Sequence, residues 1–187
     1  MRIYLTGVAC AGKTTVGSHL AELLSYPFFD LDEEVEKYFG TSLERLQNQF
    51  LTAYSYSCEA SKALSALLDR PESAHAVISL PPSGLMSGFW QVIKKTGGLK
   101  IVLTDRPENI LSRITFYDID SNLIDKQLTE EEKKLYLKEI KEDMSYFRKS
   151  YHRADCWIDI AGHDVEGSAW KVKSLIADGY GEKSIRG

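Results

Sequence analysis

Residues Gly7-Val8-Ala9-Cys10-Ala11-Gly12-Lys13-Thr14 spell G-x-x-x-x-G-K-[ST], with a strand-like segment, Arg2–Thr6, before them and Val16, Leu20, Leu23 and Leu24 at helical spacing after them. A strand, a glycine turn and a helix in that order commit the chain to an α/β architecture with an anion cradle at the end of its first strand. A chance match of the four fixed positions is on the order of 1% for average residue usage, so a plain glycine turn is the weaker reading. Each position has a chemical reason. Gly7 and Gly12 free the backbone so that N–H groups across Ala9, Cys10, Ala11 and Gly12 converge on phosphate oxygens, and the helix that follows points the positive end of its dipole at the same charge. Lys13 adds a point charge for the β- and γ-phosphates of ATP. The Thr14 hydroxyl suits Mg²⁺, and Thr15 can bond a neighbouring phosphate. Cys10 has no nucleophilic duty in such chemistry and reads as a small loop residue.

Four further apolar runs, Pro27–Asp30, His75–Leu80, Leu99–Thr104 and Cys156–Ile160, read as strands, with helix-period segments filling the gaps. Strands interleaved with helices imply right-handed crossovers. The expected fold is therefore a three-layer, doubly wound α/β sandwich with a mostly parallel five-stranded sheet, of the P-loop kinase type. Thr41 with Glu44 and Thr129 with Glu132 have the spacing of capping boxes. A single domain is expected over residues 1–187, with a polar loop at Tyr117–Lys126 and a loose tail at Gly179–Gly187.

A net charge of −4 with a pI near 5.6 excludes the basic grip of a nucleic-acid-binding protein but leaves room for a phosphorylated ligand held by a local positive field. Cys10, Cys58 and Cys156 form neither a C-x-x-C pair nor a disulfide framework, and no run of 18 apolar residues occurs. The expectation is a soluble, unprocessed cytoplasmic protein, monomeric or weakly dimeric, with no membrane or nucleic-acid partner.

Asp30-Leu31-Asp32 closes the second strand, which places two carboxylates at the ligand edge of the sheet, their side chains directed differently. Two readings stand for either residue: a ligand or base at the site, or an N-cap for the following helix.

The cradle, then Phe28-Phe29-Asp30-Leu31-Asp32 with Val35 and Glu36, then Gly40-Thr41-Ser42-Leu43, resembles the shikimate kinase family. Asp105 with Pro107-Glu108 and Arg113, and Tyr151 to Asp155 ahead of Trp157-Ile158-Asp159, extend the likeness over most of the chain. The resemblance implies an ATP- and Mg²⁺-dependent kinase of a small hydroxylated acceptor, with shikimate the first candidate. It implies Asp30 in the metal shell beside Thr14, and Asp32 at the acceptor hydroxyl, taking its proton. It implies Arg113 against the adenine or its phosphates, where a surface ion pair is the competing reading. Residues 117–128 would be a lid over ATP. Arg148 lies near the family position of a substrate arginine, one residue out of register, and a solvated helix face is the competing reading.

Three stretches depart from the family pattern. Tyr56-Ser57-Cys58 stands ahead of Glu59 where the family carries an arginine that grips the substrate carboxylate. Leu80-Pro81-Pro82-Ser83-Gly84 replaces a glycine triplet, and proline has no N–H to donate. The lid sequence Tyr117-Asp118-Ile119-Asp120-Ser121 offers two acids and no arginine. Between Leu31 and Ser61 the only bases are Lys37, Arg45 and none besides, too few for a doubly charged monophosphate acceptor. A kinase of another acceptor, or a nucleotide-binding regulatory module, are the alternatives.

Overall fold

The structure, a computed structural model, describes residues 1–179. Apart from Gly179, the tail expected from the sequence lies outside the described residues. Five parallel strands, β1 (Ile3–Thr6), β2 (Phe28–Asp30), β3 (Val77–Ser79), β4 (Leu99–Thr104) and β7 (Cys156–Asp159), form one sheet in the order β2-β3-β1-β4-β7. All five fall within the apolar runs of the sequence. Register is continuous across the centre, with Ile3 opposite both Val77 and Leu99.

Alternation along the strands divides the core. Ile3, Leu5, Val77, Ile101 and Ile158 face helices α1 (Lys13–Leu24) and α8 (Val165–Ala177), meeting Val16, Leu20 and Val172. Tyr4 and Ile78 point the other way, into Leu31 and Val35 of α2 (Leu31–Phe39), Ala60, Leu64 and Leu67 of α4 (Ala53–Leu68), and Phe89 and Ile93 of α5 (Ser87–Thr96). Val102 turns to a third cluster with Ile110 of α6 (Pro107–Leu111) and Ile140 and Tyr151 of α7 (Glu130–Tyr151). Period-two strands thus satisfy two helical layers at once, each buried aliphatic side chain contributing about 1.5–3 kcal/mol before chain entropy is set against it. The chain leaves β1 toward β2 on one side of the sheet and later returns to fill β4 on the other. The strand order therefore reverses beside the carboxyl end of β1, where this class of fold forms its crevice.

Two local expectations change. The Thr129–Glu132 capping box is present, but Thr41 does not cap α3 (Leu43–Gln47); Ser42 does, accepting from the Arg45 N–H at 3.4 Å. Gly40, left-handed at φ 65°, ends α2 and leaves Thr41 as connector, so the cap falls one residue later and its third helical position is Arg45, which cannot close a box. The stretch expected as a loop carries a small antiparallel pair, β5 (Phe116–Tyr117) with β6 (Leu123–Ile124). The Asp118 carboxylate ties its turn by accepting from the N–H groups of Asp120 and Asn122.

Candidate active site

Gly7 follows β1 with φ 151°, and a Cβ there would lie 2.5 Å from the Leu103 carbonyl oxygen, so the strand-to-loop passage admits only glycine. Gly12 is left-handed at φ 86° as the N-cap of α1 and supplies no side-chain cap. Helices α5 and α6 also lack a side-chain cap, but α2, α3, α4, α7 and α8 are capped by Asp30, Ser42, Thr52, Thr129 and Asp164. Those helices satisfy their first N–H groups internally, whereas α1 holds its own out at the carboxyl edge of the sheet, where an anion can take them. Cys10 is left-handed too, at φ 57°, which a non-glycine residue adopts at a cost of the order of 1 kcal/mol.

Lys13 is half-buried and its Nζ donates to the Val8 carbonyl at 2.9 Å, curling back over the loop. Burial lowers its pKa, opposed by the neighbouring charges of Asp32, Cys10 and Asp30. Thr14 and Thr15 are exposed at the start of α1. The Thr14 hydroxyl donates to Asp30 Oδ2 at 2.7 Å, while Asp30 Oδ1 accepts the Asp32 N–H at 3.0 Å. Asp30 is thus the N-cap of α2 through one oxygen and the partner of the P-loop threonine through the other. Asp32 is half-buried, and desolvation together with the like charges of Asp30 and Glu36 pushes its carboxyl up to about 6, against the pull of Lys13.

Two cavities share Gln47 as a lining residue. One, of about 800 Å³, is lined by Thr14, Asp30, Asp32, Glu36, Gln47 and Asp118 among others. The second, of about 520 Å³, shares Gln47 and is walled by Phe50, Tyr54, Tyr56, Ser57, Tyr146 and Phe147 among others. Arg148 is exposed and lines neither; its neighbour Phe147 does. Arg113 donates to Asp105 Oδ2 at 2.5 Å. Asp105 is buried and also accepts from the Arg106 N–H and Asn109; burial works against its charge, but these bonds and the Arg113 guanidinium outweigh it and hold its pKa below the usual carboxylate range. The β5–β6 hairpin is latched over the acidic cavity. Arg45 Nε meets Asp120 at 2.6 Å, the Ser42 hydroxyl donates to the Ile119 carbonyl at 2.5 Å, and Ser121 donates to Glu36 at 2.5 Å.

Against known proteins, the profile of the shikimate kinase family matches residues 9–157. The chain belongs to the shikimate kinase family. A shikimate kinase of Caldanaerobacter subterraneus is 30% identical over 173 residues, 91% of this chain and 92% of that one. One of Aquifex aeolicus is 43% identical over 79 residues, covering 42% of this chain and 45% of that protein. The crystal structure of the Aquifex aeolicus shikimate kinase superposes with a TM-score of 0.69 at 28% identity, over 97% of this chain and 100% of the other. Family membership confirms the fold class expected from the cradle and the alternating strands. The aromatic wall and the Arg45–Asp120 latch were not legible in advance: their residues lie 75 to 97 positions apart, and each alone reads as an ordinary amphipathic or surface residue.

Proposed function

We propose that the protein is a Mg²⁺-dependent ATP phosphotransferase acting on a hydroxyl of a small metabolite, with shikimate the first acceptor to measure. The observation that carries the reading is the grouping at one sheet edge of Lys13, the Thr14–Asp30 pair at 2.7 Å, and an Asp32 carboxyl pushed up to about 6. In this reading the open N–H groups of the loop and of the first turn of α1 hold the β- and γ-phosphates, and Lys13 leaves the Val8 carbonyl to join them. One hydroxyl and one carboxylate suit Mg²⁺, which keeps several waters and phosphate oxygens in its shell and needs no all-protein cage. Bound there, the ion would neutralise charge on the transferring group. Asp32 accepts the acceptor's proton as its oxygen bonds to the γ-phosphorus and the bond to ADP breaks; a carboxylate with a pKa near 6 is a better base than an ordinary one and still ionised at neutral pH. The hairpin covers the site and excludes water.

Among the described residues no helix is long and apolar enough to cross a membrane, and Cys10, Cys58 and Cys156 are free thiols, in keeping with a reducing cytoplasm.

Lys13→Ala tests the reading. Acceptor-dependent ATP consumption should fall by roughly a thousandfold or more, with calorimetric ATP affinity reduced and far-UV circular dichroism unchanged. ATP bound as tightly by the variant as by the parent would overturn it.

A further inference from the structure

The walls of the second cavity carry a statement about what the proposed kinase phosphorylates, and it rests on that reading. Among the described residues, none that lines either cavity is Lys, Arg or His. Those lining the smaller cavity include no ionisable side chain other than tyrosines, while the cavity that shares Gln47 with it presents Asp30, Asp32, Glu33, Glu36, Glu44 and Asp118. An anionic acceptor placed with its hydroxyl at Asp32 would meet carboxylates, and the cation in the field of Asp32, Lys13, is the one assigned to the phosphates of ATP.

What the cavity offers instead is aromatic surface with hydroxyls at its rim. Phe50 and Tyr56 meet edge to face with ring centroids 6.2 Å apart, and Tyr146 and Phe147 with centroids 4.9 Å apart. Tyr56 is half-buried and bonds Gln47, and Gln47 lines both this cavity and the one that holds Asp32. Around the same mouth Leu51, Tyr54 and Tyr146 are exposed at 103%, 66% and 66%, apolar surface held open where a ligand would cover it. A volume of about 520 Å³ is that of a small-molecule site.

We infer that the acceptor is a hydroxylated small molecule that carries no negative charge and presents a flat or apolar face, of the size of a nucleoside or an aryl glycoside, seated between Tyr56 and Phe147 with one hydroxyl at Asp32. Ring faces stack on the aromatic wall, and Ser83, Ser87 and Gln47 answer its remaining hydroxyls.

A matched series tests this. ATP consumption in a coupled assay at saturating Mg²⁺ and ATP is measured with shikimate, gluconate, shikimate methyl ester, a set of nucleosides and phenyl glucoside. The expected result is turnover in the uncharged group, with the best kcat/KM there at least a hundredfold above shikimate, and the methyl ester ahead of the free acid. Ligand-observed NMR with ADP and Mg²⁺ should show saturation transfer to the aromatic ring of phenyl glucoside, lost in Phe147→Arg. Phe147→Arg, and independently Tyr56→Arg, place a guanidinium in the wall and should raise kcat/KM for shikimate at least tenfold. Preference of the parent for shikimate, or absence of saturation transfer to any uncharged ring, overturns the inference while leaving the kinase reading in place. Failure of the parent to bind ATP in calorimetry overturns the kinase reading, and this inference with it.

Discussion

The donor side of the cleft is a loop shaped by backbone, to which Lys13 and Thr14 add their side chains, whereas the acceptor side is made of side chains alone. Gly7, Gly12 and the uncapped first turn of α1 lie within a dozen residues, and their conformations follow from glycine's freedom and the strand-turn-helix order. The facing wall draws Phe50 and Tyr56 from the entry to α4 and Tyr146 and Phe147 from the end of α7, residues joined only by folding. A phosphate cradle has one solution that a short motif can encode, whereas an acceptor pocket can be relined without disturbing it. Lys13→Ala, which strikes the donor side, therefore carries the largest expected loss, and the arginine exchanges at Tyr56 and Phe147 should alter acceptor choice while leaving ATP affinity within about threefold.

Asp32 stands where the two sides meet, and its replacement sharpens the comparison next. Asp32→Asn should lower kcat by roughly a hundredfold to ten-thousandfold with ATP affinity little changed, whereas Asp30→Asn should weaken Mg²⁺-dependent ATP binding itself. Equal loss of ATP binding in both variants would merge their roles. The pH dependence follows from the raised carboxyl. A base must be ionised, so kcat/KM should fall as pH drops through about 6 in the parent. The stability effect has the opposite sense. The folded state binds the proton more tightly than the unfolded chain, so the ionised carboxylate costs stability above pH 6 and the cost disappears as pH falls toward the unfolded value near 4. Asp32→Asn should consequently raise stability at pH 7.5 by about 1–2 kcal/mol, discounted for its partial exposure, as seen in a higher urea midpoint.

A smaller effect is expected where the hairpin meets α3. Arg45 and Asp120 are each about half exposed, at 50% and 55%, so solvent screens their pair and it contributes little to stability. Arg45→Ala should raise KM for ATP two- to fivefold, with kcat held and the effect fading at high ionic strength. A hundredfold loss of kcat would instead mean that Arg45 releases Asp120 during turnover and covers the transferring phosphate, supplying the cation that the lid sequence itself lacks.

How far the sequence anticipated the molecule follows the same division. All five sheet strands were legible because buried parallel strands are short apolar runs, and Thr129–Glu132 because a capping box is a local rule. Ser42 displaced Thr41 because the position at which α2 ends, set by Gly40, decides which hydroxyl begins α3. The two-residue strands of the lid are too short for any periodicity to register, and their turn depends on Asp118 accepting bonds from residues on both sides. At the site, absence was easier to read than presence. The missing arginines are visible at Tyr56 and in the lid, but nothing in the spacing of Tyr56 and Phe147 announces that they face one cavity.

The smallest effect should come from a donor-side residue whose side chain has no assigned work. Cys10 sits in the middle of the cradle at φ 57°, a conformation that costs a non-glycine residue of the order of 1 kcal/mol, and its thiol is only partly exposed, packed against the cluster around Val8, Val102 and Tyr151. Glycine there would relieve the strain but free the unfolded chain by about 0.5–1 kcal/mol, so the two terms nearly cancel. If the donor side is built of backbone, Cys10→Gly should leave the ATP dissociation constant within about threefold, kcat within twofold and the urea midpoint almost unmoved. Cys10→Val separates the backbone from the side chain, because a β-branched residue at positive φ is a strained outlier and should loosen the cradle and weaken ATP binding by tenfold or more. Loss of ATP binding in the glycine variant, with the valine variant unaffected, would mean that the thiol rather than the loop conformation holds the nucleotide, and the division between a backbone-built and a side-chain-built half would fail on the side where it is drawn most firmly.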